Sequence, residues 1–306
     1  MSEASLALGA AARVAPPPRA RLSDRHFLPV TLLPTFVLML AVFGLPLLFS
    51  LYLSFTGWSQ GRDLFSGTFI GLENYQDLLS DPVFLSSLSV TFGFTAAAVV
   101  AQLTGGLGIA LLLNADLPRM RLFRTALVLP MMVTPIVGAL CWKLLLDPNY
   151  GVINYWIGAR IPWLGRPGTA LFSVWIVNVW QSTPYVALIL LAGLRSLPSE
   201  PGEAAAIDGA SRWQMLRHVT LPLLQPYILV ALLLRTIFEF RSFDNIYAMT
   251  GGGPANATMV LSMFTYLTSF VRFDFALGAA ASWLMLLMSM LMCLAFIWVL
   301  RRRGER

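Results

Sequence analysis

Residues 27–55 read Phe-Leu-Pro-Val-Thr-Leu-Leu-Pro-Thr-Phe-Val-Leu-Met-Leu-Ala-Val-Phe-Gly-Leu-Pro-Leu-Leu-Phe-Ser-Leu-Tyr-Leu-Ser-Phe and contain no charged side chain. A helix crosses the hydrocarbon layer of a bilayer with about 20 consecutive apolar residues. This stretch therefore predicts one transmembrane helix, and it suggests that the rest of the chain should be searched for others.

Five further apolar runs are long enough to span a bilayer. They lie between Asp81 and Asp116 and at Ala126–Leu146, Thr169–Leu194, Leu223–Phe243 and Phe275–Leu300. Of the 306 residues, 57% are hydrophobic and only 12% are charged, whereas soluble domains are about 25% charged. We therefore predict an all-α integral membrane protein with six transmembrane helices.

The basic residues predict the orientation of the chain. If the N-terminus lies in the cytoplasm, the inner segments hold fourteen arginines and the outer segments four. Positive charge accumulates on the cytoplasmic side of membrane proteins, so both termini are expected there. The predicted organisation is a cytoplasmic tail over residues 1–26, a transmembrane domain over 27–300 and a basic cytoplasmic tail over 301–306. We attribute the net charge of +6 to the arginines of the cytoplasmic segments, and we expect no nucleic-acid partner.

The inner loop between the fourth and fifth runs, residues 195–222, has a pattern of its own. Ser199 is placed to cap a short helix, and Gly209 is placed to end it. Residues 210–217 then predict a second short helix. Two short helices with small side chains form a surface that suits a partner's groove, although a plain surface hairpin has the same local pattern.

The spacing within this loop resembles a known motif. Glu203-Ala204-Ala205, three residues, Gly209, nine residues and Val219-Thr220-Leu221-Pro222 resemble the EAA loop of binding-protein-dependent ABC permeases, with valine in place of the family's isoleucine. Residues 69–75, 151–154 and 243–254 are similar to the carbohydrate branch, and to the first of its two permease subunits.

The resemblance implies a role for each matching residue. In the family this loop docks into a cleft on an ATPase subunit, so Glu203 would pair with a basic residue there. Ala204 and Ala205 would permit close packing, Gly209 would set the bend, and Asp208 completes the expected coupling set.

The resemblance also implies the partners. These would be a second homologous permease subunit, two ATP-binding subunits and an extracytoplasmic solute-binding protein, assembled in the lipid of the cell inner membrane. The cargo would be a sugar or polyol.

Nothing in the chain suggests that it hydrolyses ATP itself. A phosphate-binding loop needs a lysine after a glycine-rich turn, and the only lysine, Lys143, lies in an apolar run. We therefore expect no cofactor on this chain, with ATP and magnesium on the partner ATPase. We also expect no metal site and no catalytic residue, because no cluster of ligating or nucleophilic side chains stands out.

Polar side chains within the runs are candidates for a substrate pathway. Arg235 lies about 20 Å along the fifth helix from Pro222 at the inner surface, and Glu239 follows one turn later. Their spacing permits an ion pair, which either fixes helix packing or lines the pathway.

The fourth run adds Asn178, Gln181 and Tyr185 to these candidates. The three side chains share one broad helical face, and amide and hydroxyl groups bind the hydroxyls of sugars. Hydrogen bonding between helices is the structural alternative.

Two further expectations complete the sequence-based picture. Lys143 and Asp147 are spaced to form an ion pair near the end of the third run. A self-contained secondary transporter or channel is the alternative function, but such proteins carry inverted repeats, and the sequence shows none. A membrane-embedded enzyme would need a cluster of catalytic side chains.

Overall fold

A computed structural model describes residues 24–58, 67–115 and 120–304. The predicted tail over residues 1–26 lies almost wholly outside the described residues, as do the last two residues of the predicted tail over 301–306. The described chain is helical, and its only strand-like feature is an isolated antiparallel bridge between Thr56 and Phe69. The described residues up to Ser50 and those from Leu51 onward form two compact units.

The first unit consists of helix α1 (Asp24–Met39), a π-helical turn (Leu40–Gly44) and the start of α2 (Leu45–Ser54). Most of its described side chains are large, apolar and exposed. An apolar helix of this kind is stable in lipid and not in water. This segment is the first predicted transmembrane run.

The second unit contains the remaining helices. They are α3 (Glu73–Ser80), α4 (Pro82–Asn114), α5 (Met120–Met132), α6 (Pro135–Leu145), α7 (Val152–Ile157), α8 (Pro167–Ser196), α9 (Glu200–Ile207), α10 (Arg212–Met215), α11 (Leu221–Phe240), α12 (Asp244–Met249), α13 (Leu261–Tyr266) and α14 (Phe275–Gly304). Two further π-helical turns, Leu216–Thr220 and Leu267–Val271, follow α10 and α13.

The predicted membrane spans are found, with one change. Five helical segments are long and apolar enough to cross a bilayer, and a bent pair makes a sixth if it counts as one span. The third predicted run, Ala126–Leu146, is a bent pair and not one straight helix, because α5 and α6 meet at 100°. Thr134 between them has extended backbone, the conformation that a residue before proline prefers, and Pro135 then starts α6.

The core forms where α4 runs along α8. Phe84, Phe94, Val174 and Val177 lie in one buried cluster, and a second cluster includes Leu190. These two helices have 33 and 30 residues, and together they form the frame against which α11 packs.

The second short helix of the inner loop is not separate from the fifth span. A capping box between Ser211 and Gln214 starts α10, and the helix then continues through the π-helical turn into α11. Pro222 lacks an N–H group and would clash with the carbonyl four residues earlier in a regular α-helix. The π-helical turn immediately before it widens the backbone there, so the helix is not broken.

Gly106 permits close approach of α4 and α8. A Cβ atom at this position would lie 2.7 Å from Val186 Cγ1 and 3.2 Å from the backbone nitrogen of Ala187. At Gly108, on the same helix, a Cβ atom would meet nothing within 4 Å. The two glycines thus differ in packing while sharing the same helical backbone.

We predict that Gly106→Ala lowers the free energy of unfolding by about 1–3 kcal/mol, because the added methyl group overpacks the α4–α8 contact. The control, Gly108→Ala, keeps or raises stability, because alanine favours helix more than glycine does. Thermal unfolding of both variants in detergent, followed by tryptophan fluorescence, measures the difference. Equal unfolding temperatures for the two variants would contradict the close approach.

Candidate functional site

A cavity of about 500 Å³ lies where α8, α11 and α12 meet. This volume is within the range of small-molecule sites, about 300–1,000 Å³. Nine of its thirteen lining residues are polar or charged, and the wall consists of Pro135, Asn178, Gln181, Ser182, Arg235, Ile237, Phe238, Glu239, Arg241, Ser242, Phe243, Asp244 and Asn245.

A buried hydrogen-bond network forms one side of this cavity. The guanidinium of Arg235 pairs with Glu239 Oε1 through Nη2, and its Nε donates to Gln102 Oε1 at 2.8 Å. Gln102 Nε2 donates to Glu239 Oε1 at 3.0 Å and to Asn178 Oδ1 at 2.9 Å. The network therefore joins α4, α8 and α11 through four side chains.

The residues of this network are buried, so the contacts between them are important for stability. Glu239 is 3% exposed, Arg235 is 8% exposed and Gln102 is fully buried. A buried charge without a partner is strongly destabilising, so the pair requires both its ionic contact and the amide that bridges it. The predicted i, i+4 pairing of Arg235 with Glu239 is confirmed.

Sequence reasoning missed Gln102. It is an amide in the middle of an uncharged apolar run, and a polar side chain at membrane depth usually has a partner or a function. That signal was present, but its partners lie on helices that are distant in sequence. Ser242 and Asn245, which also line the cavity, were missed because α11 ends at Phe240, so the helical spacing of the fifth run does not place them.

A second set of amide contacts holds the bend between α5 and α6. Gln181 Nε2 donates to the carbonyl of Val133 at 2.9 Å, and Asn245 Nδ2 donates to Gln181 Oε1 at 3.3 Å. The bend removes a helical partner from the Val133 carbonyl, and Gln181 replaces it. Gln181 therefore contributes both to the cavity wall and to the shape of the broken span.

Four of the five predicted pathway residues come together at the cavity: Asn178, Gln181, Arg235 and Glu239. Tyr185 is not among the lining residues. Its ring lies 5.9 Å from the guanidinium carbon of Arg235, a distance at which a cation is attracted to the face of an aromatic ring.

The predicted coupling residues lie together on the exposed loop between α8 and α10. Glu203, Ala204 and Asp208 are exposed, and Ala205 is half-buried. Gly209 has a φ of +76° and ends α9, as predicted, because glycine adopts this left-handed conformation without steric cost. The hydroxyl of Ser199 makes no capping bond, so that part of the prediction is wrong.

Two large apolar side chains flank this turn. Ile207 is 86% exposed and Trp213 is 67% exposed. Exposed apolar groups beside a small-residue surface are typical of a protein–protein contact.

Lys143 and Asp147 form no ion pair with each other, contrary to expectation. Lys143 Nζ donates to the carbonyl of Ala248 at 3.3 Å, and Asp147 Oδ1 accepts from the backbone N–H groups of Asn149 and Tyr150. Backbone donation from Asn149 is the main cause that lowers the pKa of the Asp147 carboxyl below its ordinary value. The carboxylate of Asp147 therefore caps its own turn and does not pair with Lys143.

Comparison with protein families gives one family model that matches residues 103–303, described as the binding-protein-dependent transport system inner membrane component. A probable ABC transporter permease protein of Sinorhizobium fredii is 41% identical over 274 residues, which cover 88% of each chain. The trehalose/maltose transport system permease protein MalF of Thermococcus litoralis is 37% identical over 78% of this chain and 81% of its own.

Another similar protein is the trehalose transport system permease protein SugA of Mycobacterium tuberculosis, 35% identical over 92% of this chain and 90% of its own. Among solved structures, a bacterial ABC transporter involved in the import of the acidic polysaccharide alginate matches with a TM-score of 0.78. That match covers 90% of this chain and 95% of the other at 22% identity, so it shows a shared fold.

We predict that Gln102→Leu destabilises the chain by about 1–3 kcal/mol, because it removes partners from a buried charge pair while keeping a side chain of similar size. The same substitution at Gln76, on the exposed face of α3, is the control. The unfolding temperatures in detergent are compared. If both variants unfold at the same temperature as the parent protein, the network does not stabilise the fold.

Proposed function

Because this chain belongs to the family of binding-protein-dependent transport system inner membrane components, we propose that it carries a sugar or polyol through the membrane as one subunit of an ABC importer. It is a multi-pass protein of the cell membrane, and its family is one of transporter permeases. The proposal extends this to the cargo, the pathway and the assembly.

The polar cavity between α8, α11 and α12 is the observation that carries the proposal. Polar and charged side chains inside apolar helices are costly, so they face a partner or a pathway. The amides of Asn178, Gln181 and Asn245 and the hydroxyls of Ser182 and Ser242 line one continuous wall. Such groups hydrogen-bond the hydroxyls of a sugar, so they can replace the water molecules that the sugar loses when it enters the cavity.

The relatives support a carbohydrate cargo. Their names refer to trehalose and maltose, to trehalose and to starch degradation products. The pathway residues that we propose are Asn178, Gln181, Arg235 and Glu239, with Tyr185 positioning Arg235 from outside the wall.

The exposed loop between α8 and α10 is the proposed docking site for an ATPase subunit. Glu203, Ala204, Ala205 and Asp208 offer a small surface with negative charge, and the Gly209 turn presents it. Ile207 and Trp213 flank this surface and supply the apolar anchors that such contacts require. The chain itself is proposed to be non-catalytic, with ATP and magnesium bound by the partner.

The rest of the assembly follows from the same proposal. A second homologous permease subunit completes the pathway, two ATP-binding subunits lie on the cytoplasmic side, and an extracytoplasmic binding protein delivers the solute. The arginine distribution supports placing both termini and the docking loop in the cytoplasm.

Purification of the tagged chain in mild detergent tests the proposal. Recovery of an ATP-binding subunit and a second permease, with ATPase activity raised by a sugar-loaded binding protein, is the expected result. A lone chain that moves solute in liposomes without ATP would refute it, and would favour a secondary transporter.

We predict that Gly209→Val abolishes uptake, because a β-branched side chain at a φ of +76° is strained and misplaces the docking turn. The control is Gly202→Val within α9. At both positions an added Cβ atom meets nothing within 4 Å, so the two differ in backbone conformation and not in space. Sugar uptake by cells and co-purification of the ATPase are measured. Normal uptake by the Gly209 variant would exclude the coupling role of this turn.

We predict that Asn178→Leu raises the sugar concentration for half-maximal uptake by about tenfold, because one amide contact to the solute is lost. Asn114→Leu, at the exposed end of α4, is the control. Transport of radiolabelled trehalose or maltose in proteoliposomes gives the concentration for half-maximal uptake of each variant. An unchanged concentration dependence would remove Asn178 from the pathway.

A further inference from the structure

A series of aromatic rings begins in the cavity wall and continues to an exposed surface. Phe243 lines the cavity, and its ring centroid lies 5.2 Å from that of Tyr247 and 5.3 Å from that of Tyr266. The ring of Phe270 lies 5.7 Å from that of Tyr266. The ring of Phe275 follows, 6.2 Å from that of Phe270.

Two further rings contact Phe275 at the far end of the series. The ring centroids of Phe273 and Trp58 lie 6.4 Å and 5.7 Å from it. The name aromatic row is used below for the seven side chains of Phe243, Tyr247, Tyr266, Phe270, Phe275, Phe273 and Trp58.

Three rings of the aromatic row are open to a solute. Phe270 is 61% exposed, Phe273 is 47% exposed and Tyr247 is 43% exposed. Accessible carbon surface is therefore present along the row and not only at the cavity.

The aromatic row lies at the end of α11 that is opposite to the proposed docking loop. The 20 residues of α11 span about 30 Å, which is the thickness of the hydrocarbon layer. Six of the seven rings follow this end, between Phe243 and Phe275. With the docking loop in the cytoplasm, these rings lie on the outer side, where the solute arrives.

A strained turn holds one end of the row. Phe273 has a φ of +58°, which is unusual for a bulky side chain. The turn is fixed by backbone bonds on both sides of this residue. The N–H group of Arg272 donates to the Leu267 carbonyl at 2.8 Å. The N–H group of Asp274 donates to the Thr268 carbonyl at 3.0 Å. Strain that the surrounding structure imposes is common at functional sites.

Anchoring in the bilayer surface does not account for this arrangement. Tryptophan and tyrosine are the side chains enriched there, because each has an apolar body and a polar group. Four of the seven rings in the row are phenylalanine, and the row begins in the wall of a polar cavity.

A pyranose sugar suits such a row. Its faces carry C–H bonds, so one face can pack on an aromatic ring while the hydroxyl groups at the rim stay in water. The ring spacings are comparable to the width of a pyranose, so the sugar can contact the next ring before it leaves the last. An open-chain polyol has no fixed face and loses more conformational entropy on packing.

We infer that the aromatic row guides pyranose sugars from the outer surface into the cavity, and that it favours them over open-chain polyols. This rests on the proposed function, since it assumes that the solute enters the same cavity from the outer side. It narrows the cargo from a sugar or polyol to a sugar in its ring form.

Saturation-transfer NMR on the transporter complex in nanodiscs, without its binding protein, tests the inference. Selective irradiation of aromatic protons gives a signal from probes that lie against aromatic rings. The pyranose probes are glucose, maltose and trehalose, and the open-chain probes are sorbitol and mannitol. Glucose and sorbitol share a carbon skeleton, so the ratio of their signals isolates the effect of the ring. We expect this ratio to favour glucose by about two- to tenfold, the order of one aromatic contact.

Phe270→Leu removes an exposed ring from the middle of the row and keeps an apolar side chain. It is expected to lower the glucose-to-sorbitol ratio by about two- to tenfold and to slow cellular uptake of trehalose or maltose by a similar factor. Phe270→Tyr, which keeps the ring, is expected to preserve both. The matched control is Phe172→Leu, because Phe172 is 51% exposed and lies on α8, outside the row. Tyr247→Leu, nearer to the cavity, repeats the test with a second ring.

The outcomes separate the inference from the proposed function. Equal signals from glucose and sorbitol in the parent complex, or an unchanged ratio in both leucine variants of the row, overturn the guiding role while ATP-dependent uptake stands. Loss of the second permease from the Phe270→Leu complex on purification would make the row a contact between subunits, which also overturns it. A parent complex that takes up no sugar with ATP overturns the proposed function itself.

Discussion

The ion pair between Arg235 and Glu239 constrains the arrangement of the helices around it. A charge pair inside an apolar span is tolerated only when its remaining donors and acceptors also find partners. Gln102 meets this need by contacting both charged side chains and Asn178. Because these residues lie on α4, α8 and α11, satisfying one pair fixes the rotation of three helices. The cavity wall follows from the same constraint, since the polar face that holds the network is also the face that lines the open space.

Proline and hydrogen bonding together explain where the spans depart from regular helix. Pro46 and Pro222 each follow a π-helical turn that begins six residues earlier, so the missing N–H group and the ring are accommodated without a break. Pro135 has a different effect, because the residue before it is extended and the chain turns sharply. The carbonyl exposed by that turn is satisfied by Gln181 from another helix. A proline that follows a π-helical turn is thus accommodated within its span, whereas Pro135 follows an extended residue and the span breaks there.

Much of the fold could be predicted from the sequence, because the lipid bilayer requires long apolar helices. Apolar runs of sufficient length predict spans, and the i, i+4 spacing predicted the Arg235–Glu239 pair. The sharp bend at Thr134 was not predicted, because proline is compatible with both a kinked and a broken helix. Gln102 was missed because its partners are 76 and 137 residues away. Sequence periodicity shows which residues share a face, but it does not show which faces of distant helices meet.

The unbroken path from α10 to α11 has a mechanical consequence. From Arg212 to Arg235 the helix runs about 35 Å, with a π-helical turn but no break between them. A rod of this length that tilts by about 10° around one end moves its other end by roughly 6 Å. Such a lever would convert a small rotation at the exposed loop into a displacement of the ion pair comparable to the width of a sugar ring. A continuous helical segment therefore connects the backbone next to the Gly209 turn with the Arg235–Glu239 pair.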